Sequence, residues 1–375
     1  MTRFKYIHEH PDWPNLHWRQ DELTDLLARV RHQQGMLLGQ MTTLGFDLRQ
    51  EAELNAITEN VVKTSEIEGE VLNPDEVRSS VASRLGIDID GVAPANRNVD
   101  GIVELMLDAT ANCGEELTQE RLFGWHSLLF PSTWTSAGPI TIGAWRQPDR
   151  GPMRVASGFY GQERVHFEAP AADRIKTEVR AFLTWFNAPR TGDDVLKAAL
   201  AHLWFVTIHP FDDGNGRIAR AIADLALARS DGVSQRFYSM SSQIHRERSD
   251  YYATLELTQK GTMDVTNWMI WFLDCLGRAI TDAQDIVAPA IVKVRFWETV
   301  SHVPLNDRQR KVLRRLVNGF EGNMTSTKWA RMTKSSQDTA LRDISDLVAK
   351  GVLERGPAGG RSTSYSLVST ESERT

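Results

Sequence analysis

A histidine, a carboxylate, a Gly-Asn-Gly turn and two arginines fall within twelve consecutive residues, His209-Pro-Phe-Asp-Asp-Gly-Asn-Gly-Arg-Ile-Ala-Arg220. Together these residue types can handle a nucleotide phosphate. Gly214 and Gly216, on either side of Asn215, free the backbone to curl so that successive N–H groups point into one concavity. The residues that follow (Ile218, Ala219, Ala221, Ile222, Leu225) are apolar and helix-compatible. The turn should therefore open a helix whose N-terminal dipole favours an anion. Asp213 is a hard oxygen ligand, suited to Mg²⁺ already bound to phosphate oxygens. Arg217 and Arg220 share a helical face, from which their guanidinium forks can reach further phosphate oxygens. His209, with an ordinary pKa near ~6.5, suits proton abstraction from an alcohol at neutral pH.

The elements that must position these groups read as helices with little strand. Leu23, Leu26, Leu27 and Val30 recur at three- and four-residue spacing, predicting an amphipathic helix over residues 21–44. Leu54, Ile57 and Val61 predict another over residues 50–68. Asn73-Pro74-Asp75-Glu76 is a cap, a proline at the first helical position and acids in the first turn. Residues 86–94 read as loop, and helices resume over 99–112 and 118–130. A Gly- and Pro-rich extended passage covers 140–158. With 375 residues, 41% of them apolar, two or three domains with sizeable cores are expected. No apolar run approaches the length of a membrane span, and the first residues lack a signal-peptide core, so a cytoplasmic protein with no membrane partner is expected. Cys113 and Cys275 are the only cysteines, each within an apolar helical pattern, and neither a disulfide nor a Cys/His metal site is predicted. His202, on an apolar helix face, reads as a core or supporting residue.

The twelve-residue segment resembles the Fic family signature, H-x-F-x-(D/E)-G-N-G-(R/K)-x-x-R, with all eight specified positions matched. A hydrated charge cluster between two helices would not require that order. The resemblance implies a mainly α Fic-type helical bundle with a β-hairpin flap, transferring AMP from ATP to a Ser, Thr or Tyr hydroxyl of a target protein or of the chain itself. In that scheme His209 is the base. Asp213 holds Mg²⁺ between the α- and β-phosphates. Gly214, Asn215 and Gly216 receive the phosphates on their backbone, Arg217 contacts them, and Arg220 serves the γ-phosphate. Gly143-Ala-Trp-Arg146 and Pro152-Met-Arg-Val resemble the lead-in to the family core. Arg164-Val-His-Phe-Glu-Ala-Pro170 resembles its flap, which implies nucleotide-facing roles for Arg164, Val165, His166 and Phe167 and a main-chain edge for the target strand. The segment from Asp250 resembles the helix lining the adenosine pocket, with Tyr251 and Gln259 at its nucleotide-contacting positions. Trp268, Trp271 and Phe272 read as core.

Thr64-Ser-Glu-Ile-Glu68-Gly69 resembles the family's inhibitory pattern, (S/T)-x-x-x-E-(G/N), here N-terminal to the core. The resemblance implies that Glu68 pairs with Arg220 and turns ATP into an unproductive pose. A glutamate so placed can also orient water, making removal of AMP a second activity. The alternative for this short pattern is an ordinary capped helix end with solvated Glu66, Glu68 and Glu70.

The last part of the chain differs in charge. Residues 305–368 hold twelve Lys/Arg against six Asp/Glu, or +6, so the remainder carries −12 of the net −6. Three helical segments followed by a hairpin around Gly356-Pro-Ala-Gly-Gly-Arg361 read as a winged helix-turn-helix, with Val312, Leu313 and Leu316 inward. DNA is one expected partner, with Arg361 as its best contact. A protein-interaction module is the other, because Asp338, Asp343 and Asp346 suit a groove-facing helix poorly. The expected domains are an N-terminal helical region (1–97, inhibitory helix about 50–70), a catalytic core (98–288), a linker helix (289–304) and the winged helix (305–375). A homodimer is among the states left open. The competing class is a DNA-binding regulator whose core senses nucleotide without catalysis, although a sensor would not need the base.

Overall fold

A computed structural model of the protein describes residues 4–89, 95–135, 138–157, 164–189, 192–320, 322–357 and 363–368. It is mainly helical, as expected, and divides into two compact units, Met1–Ile286 and Val287–Thr375. The first unit begins with α1 (Gln20–Thr43), α2 (Phe46–Ile67), α3 (Pro74–Leu85), α4 (Arg97–Ala111) and α5 (Gln119–Leu129). Two short antiparallel pairs follow, β1 (Trp134–Thr135) with β2 (Gly138–Pro139), and β3 (Arg154–Ser157) with β4 (Arg164–Glu168). Then come α6 (Ile175–Asn187), α7 (Asp194–Ile208), α8 (Asn215–Asp231), α9 (Met240–Arg246), α10 (Arg248–Gln259) and α11 (Thr266–Thr299). No helix among the described residues is long and apolar enough to cross a membrane.

The core is built on α7 and α8. Every residue of α7 except Lys197 is buried, as is most of α8, which is the behaviour of helices that meet neighbours on nearly all sides. Small residues (Ala198, Ala199 and Ala201 on one, Ala219, Ala221 and Ala223 on the other) fit that surround. The aromatic side chains of Phe205, Phe211, Trp268 and Phe272 fill the remaining volume. Truncating one such side chain to Ala would cost about 3–5 kcal/mol. α2 is fixed across α8 and α9 by a buried amide: Asn60 donates to Asp224 Oδ2 at 2.8 Å and accepts from Ser239 Oγ and the Ser241 N–H.

Local signals account for most boundaries. The Asn73 side chain accepts the Asp75 N–H with Pro74 at the first helical position, and Thr118 accepts the Arg121 N–H. α2 starts at Phe46 rather than near residue 50, because Phe46, 70% exposed, gives no inward signal. The boundary expected between core and linker helix at 288–289 falls within a single helix. α11 continues through Pro289 to Thr299, and the compact units divide inside it. The proline's missing N–H costs one intrahelical bond without ending the helix.

The β3–β4 hairpin carries a bulge between Val155 and Ala156. A two-stranded hairpin is marginal alone and needs an apolar seat. The amino-terminal arm supplies one: Phe167 packs edge-on against Tyr6, with ring centroids 5.2 Å apart, and His8 Nε2 donates to the Glu168 carbonyl at 2.8 Å.

The second unit contains α12 (Asp307–Val317), α13 (Ser326–Thr333), α14 (Gln337–Ala349) and an antiparallel pair, β5 (Leu353–Arg355) with β6 (Tyr365–Leu367). Val312, Leu313, Trp329, Ile344, Leu347 and Leu353 form its core, with Leu316 partly buried beside them. Asp343 departs from expectation. It is buried, accepting from Arg308 at 2.8 and 2.9 Å, so it supports the helix from inside rather than repelling a ligand. Asp346 is likewise engaged, by Gln309 and Lys350. Arg361 lies outside the described residues.

Candidate active site

The loop joining α7 to α8 holds the histidine and opens the phosphate-ready helix. His209 ends α7 in the left-handed region (φ 50°), and Gly214 caps α8 at φ 78°. A Cβ on Gly214 would stand 2.8 Å from the Phe130 ring, so glycine is required there for space as well as for backbone shape. Asn215 closes the loop on itself, accepting the Phe211 N–H and donating to the Phe211 carbonyl, both at 2.9 Å. Its backbone is thereby free for a ligand while its side chain is spent on structure.

His209 Nδ1 lies 3.1 Å from the Val206 carbonyl, an acceptor only, so Nδ1 carries the proton and Nε2 keeps its lone pair. Burial lowers the pKa of His209 to about 4, and Arg146 adds to that; the Val206 bond and the Glu68 and Asp213 charges offset only part. A neutral imidazole with a free Nε2 is a base at physiological pH. Arg146 fixes the loop that presents it. Its Nε donates to the His209 carbonyl at 2.8 Å, its backbone N–H to the Pro210 carbonyl at 3.0 Å, and its Nη2 to the Pro170 carbonyl at 2.5 Å. His126, fully buried and stacked on Phe211 at 4.2 Å, supports the loop from below. In the sequence Arg146 carries only its place in the lead-in, and His126 carries no signal. A cation within a Gly/Pro-rich stretch, shared there with Arg150 and Arg154, was the available signal for Arg146.

The two arginines lie as expected on one side of α8, both buried. Arg220 Nη2 donates to Glu68 Oε1 at 2.7 Å, while Thr64 accepts from Nε at 2.7 Å and, through its carbonyl, from Nη2 at 3.0 Å. Arg217 lies over the Phe130 ring and donates through Nη1 to Glu70 Oε2 at 2.8 Å. Both remain short of partners: Arg217 Nε and Arg220 Nη1 are buried donors with no acceptor. Buried guanidinium donors are rarely left so, and two on the first turns of one helix fit an anion with several oxygens. The Glu68 carboxylate rests against the Gly216 backbone, in the space a Cβ would take. Partial burial pushes its pKa up, but Arg220, with help from Arg217 and His209, pulls it further down, so Glu68 is ionised.

Asp213 Oδ1 accepts the Gly214 N–H at 2.6 Å, and Asp212 Oδ2 accepts the Thr141 N–H at 2.9 Å. Among the described residues no group of three His, Cys, Asp or Glu side chains is placed to hold a metal. A single carboxylate at this helix entrance suits Mg²⁺ carried in on phosphate, which takes one or two protein carboxylates.

Arg164, His166 and Phe167 line a cleft of about 680 Å³ between β4 and α10, together with Tyr252, Glu256 and Gln259. Val165 does not line it. His166 bridges Glu256 Oε2 and Ser157 Oγ, each at 2.6 Å. Burial raises the Glu256 pKa, but bonds from Lys260, His166 and Arg164 together bring it down to about 2. Gln259 reaches the cleft while donating to Thr207 Oγ1 at 3.2 Å. Tyr251 does not. It is 2% exposed, with its hydroxyl 3.0 Å from His202 Nε2, and burial raises its pKa. Its neighbour Tyr252, about 100° round the helix, lines the cleft instead. His202 is thus the supporting core residue expected.

Comparison with known proteins agrees with this geometry. Residues 6–87 match the profile of a domain of unknown function (DUF4172), and residues 116–227 match the Fic/DOC family. Protein adenylyltransferase fic-1 of Caenorhabditis elegans is 28% identical over 31% of this chain and 21% of its own length. Protein adenylyltransferase Fic of Aedes aegypti is 23% identical over 61% and 42%, and that of Drosophila grimshawi 32% over 30% and 22%. The chain therefore spans less than half the length of each of these relatives. Among solved structures, a Fic family protein from Desulfovibrio desulfuricans aligns over 94% of this chain and 98% of its own, at 19% identity and a TM-score of 0.52. A Fic domain containing signaling protein from Bacteroides thetaiotaomicron aligns over 70% and 95%, at 17% identity and a TM-score of 0.50. These likenesses establish the fold.

Proposed function

With residues 116–227 forming a Fic/DOC family domain, we propose that this chain transfers AMP from ATP to a protein hydroxyl, its own or a target's. The observation that carries the reading is the pair of buried, unfilled donors, Arg217 Nε and Arg220 Nη1, on the helix that follows the turn presenting His209 with a free Nε2. The acceptor oxygen attacks the α-phosphorus of ATP and its proton passes to His209 Nε2. The bond from that phosphorus to the β-bridging oxygen breaks, and pyrophosphate leaves. The α8 N-terminus, Arg217 and Arg220 neutralise phosphate charge throughout. Mg²⁺ would be held by Asp213 and neutralise the same charge. The cleft beside β4 takes the remainder of the nucleotide, and the β3–β4 hairpin offers its main chain to the target segment.

Glu68 occupies Arg220 and the space at Gly216, so in this reading the described state is restrained. The same carboxylate, ionised and close enough to His209 to act on its charge, would orient water for removal of AMP. A nucleotide sensor without catalysis would leave the free Nε2 and the Arg146 clamp without purpose. For the second unit, a winged helix, a protein contact is the better reading. The exposed face of α14 carries Asp338, Leu341, Ser345 and Val348, with Arg342 its one cation, a poor surface for reading DNA. Incubation with α-labelled ATP and Mg²⁺ tests the main claim. Label should enter protein with the parent chain and not with His209→Ala, although both bind ATP. Equal labelling would remove His209 from the mechanism.

A further inference from the structure

We propose that Glu70 is a second restraint on the same site, holding Arg217 as Glu68 holds Arg220, so that both phosphate-contacting arginines are occupied at once. The inference rests on the AMP-transfer reading above. Its basis is the way α2 ends. Glu68 is the C-cap, Gly69 adopts φ 85°, the Gly69 N–H donates to the Glu66 carbonyl and the Glu70 N–H to the Ser65 carbonyl, each at 3.0 Å. This is a Schellman closure, which fixes the residues on both sides of the left-handed glycine relative to the helix axis. One backbone motif therefore aims two carboxylates, Glu68 at Arg220 (2.7 Å) and Glu70 at Arg217 (2.8 Å).

The placement runs against helix stability at both partners. Carboxylates at the C-terminus of α2 and guanidinium groups in the first turns of α8 each oppose their own helix dipole. Neither set helps its helix, and each is satisfied by the other. Arg217 is also an incomplete partner for Glu70: it is 6% exposed, stacked on Phe130, and its Nε is a buried donor with no acceptor. An arginine placed only to support structure would have that donor filled. The open donor indicates that Glu70 holds Arg217 where a multi-oxygen anion would complete it. Glu70 keeps 35% of its side chain accessible, close to the 30% of Glu68, so its hold on Arg217 is open to screening by salt.

The test uses the full chain and two readouts, ATP affinity by equilibrium titration and initial rates of incorporation of α-labelled ATP. Glu70→Gln removes the charge and keeps the side-chain length. It should tighten ATP binding about three- to fivefold, the upper range for a partly exposed ion pair. The gain should shrink as salt is raised, and vanish when Arg217 is already Gln. Glu68→Gly with Glu70→Gln should exceed either change alone. Unchanged or weaker ATP binding by Glu70→Gln, with the fold intact by circular dichroism, would overturn the proposal whatever the labelling shows. Tighter ATP binding with no labelling in any variant, Glu68→Gly included, would keep the restraint and overturn the transfer reading instead.

Discussion

Replacing Glu68 with glycine should raise transfer and lower heat resistance together, and the structure sets the size of both effects. Arg220 donates one charge-assisted bond to Glu68, at 2.7 Å. Such bonds contribute about 1.5–3 kcal/mol. Because 30% of the Glu68 side chain is accessible, screening leaves about 1–2 kcal/mol. The restrained state is then favoured about 5- to 30-fold, and apparent ATP affinity is reduced by the same factor. Glu68→Gly should recover it as a 5- to 30-fold rise in kcat/KM for ATP. Thr64 still orients Arg220 in the variant through Nε and Nη2. Arg220, 2% exposed, nevertheless loses its counter-charge, so unfolding free energy should fall by about 1–3 kcal/mol. ATP with Mg²⁺ should then raise the Tm of Glu68→Gly more than that of the parent. Initial rates against ATP concentration, with melting curves in both states, measure all of this. Equal kcat/KM in parent and Glu68→Gly would refute the reasoning. So would a Glu68→Gly, Arg220→Ala double variant as fast as Glu68→Gly alone, since the released arginine is what should act.

Arg146→Lys cannot make both carbonyl bonds that hold the His209 loop. It should lower kcat about 100-fold, the effect of a small misplacement of a reacting group, with ATP affinity within about twofold of the parent; a parental kcat would remove its positioning role. Burial holds the pKa of His202 at about 3 and that of His126 at about 4, both far below their unfolded values. Unfolding therefore takes up protons below about pH 6.5, and stability, full above that pH, should fall by about 1.4 kcal/mol per pH unit for each histidine down toward pH 4. Urea unfolding with constant midpoints from pH 7 to pH 5 would contradict this. If the second unit contacts protein, the full chain should not retard duplex DNA even at low salt. Retardation that falls steeply with salt and weakens in Arg361→Ala would reinstate DNA.

The site was legible where its chemistry is local in sequence. From His209 to Arg220 the loop, the glycine cap and the helix follow one another, so residue types and order carried the reading. Glu68 was legible for the same reason, as part of a short pattern. What escaped were contacts spanning many residues without periodicity. Arg146 reaches the His209 carbonyl 63 positions away, and Glu70 meets Arg217 across 147. Neither leaves a trace in hydropathy or spacing. Tyr251 turns away from the cleft by helical phase, because one residue's shift turns a side chain by about 100°, from cleft to core. Asp343 failed because charge alone suggested exposure, whereas Arg308 and Asn306 satisfy it inside. Proline usually marks a helix end, yet α11 runs on through Pro289.

The central claim is AMP transfer by His209 from ATP held on the α8 turn. Intact-protein mass spectrometry of the Glu68→Gly chain, incubated with ATP and Mg²⁺ beside a Glu68→Gly, His209→Ala chain, tests it most directly. The account predicts added mass of one or more AMP groups on the first chain and none on the second, with both binding ATP. Mass added equally to both, or ATP bound by both with no mass added to either, would contradict it.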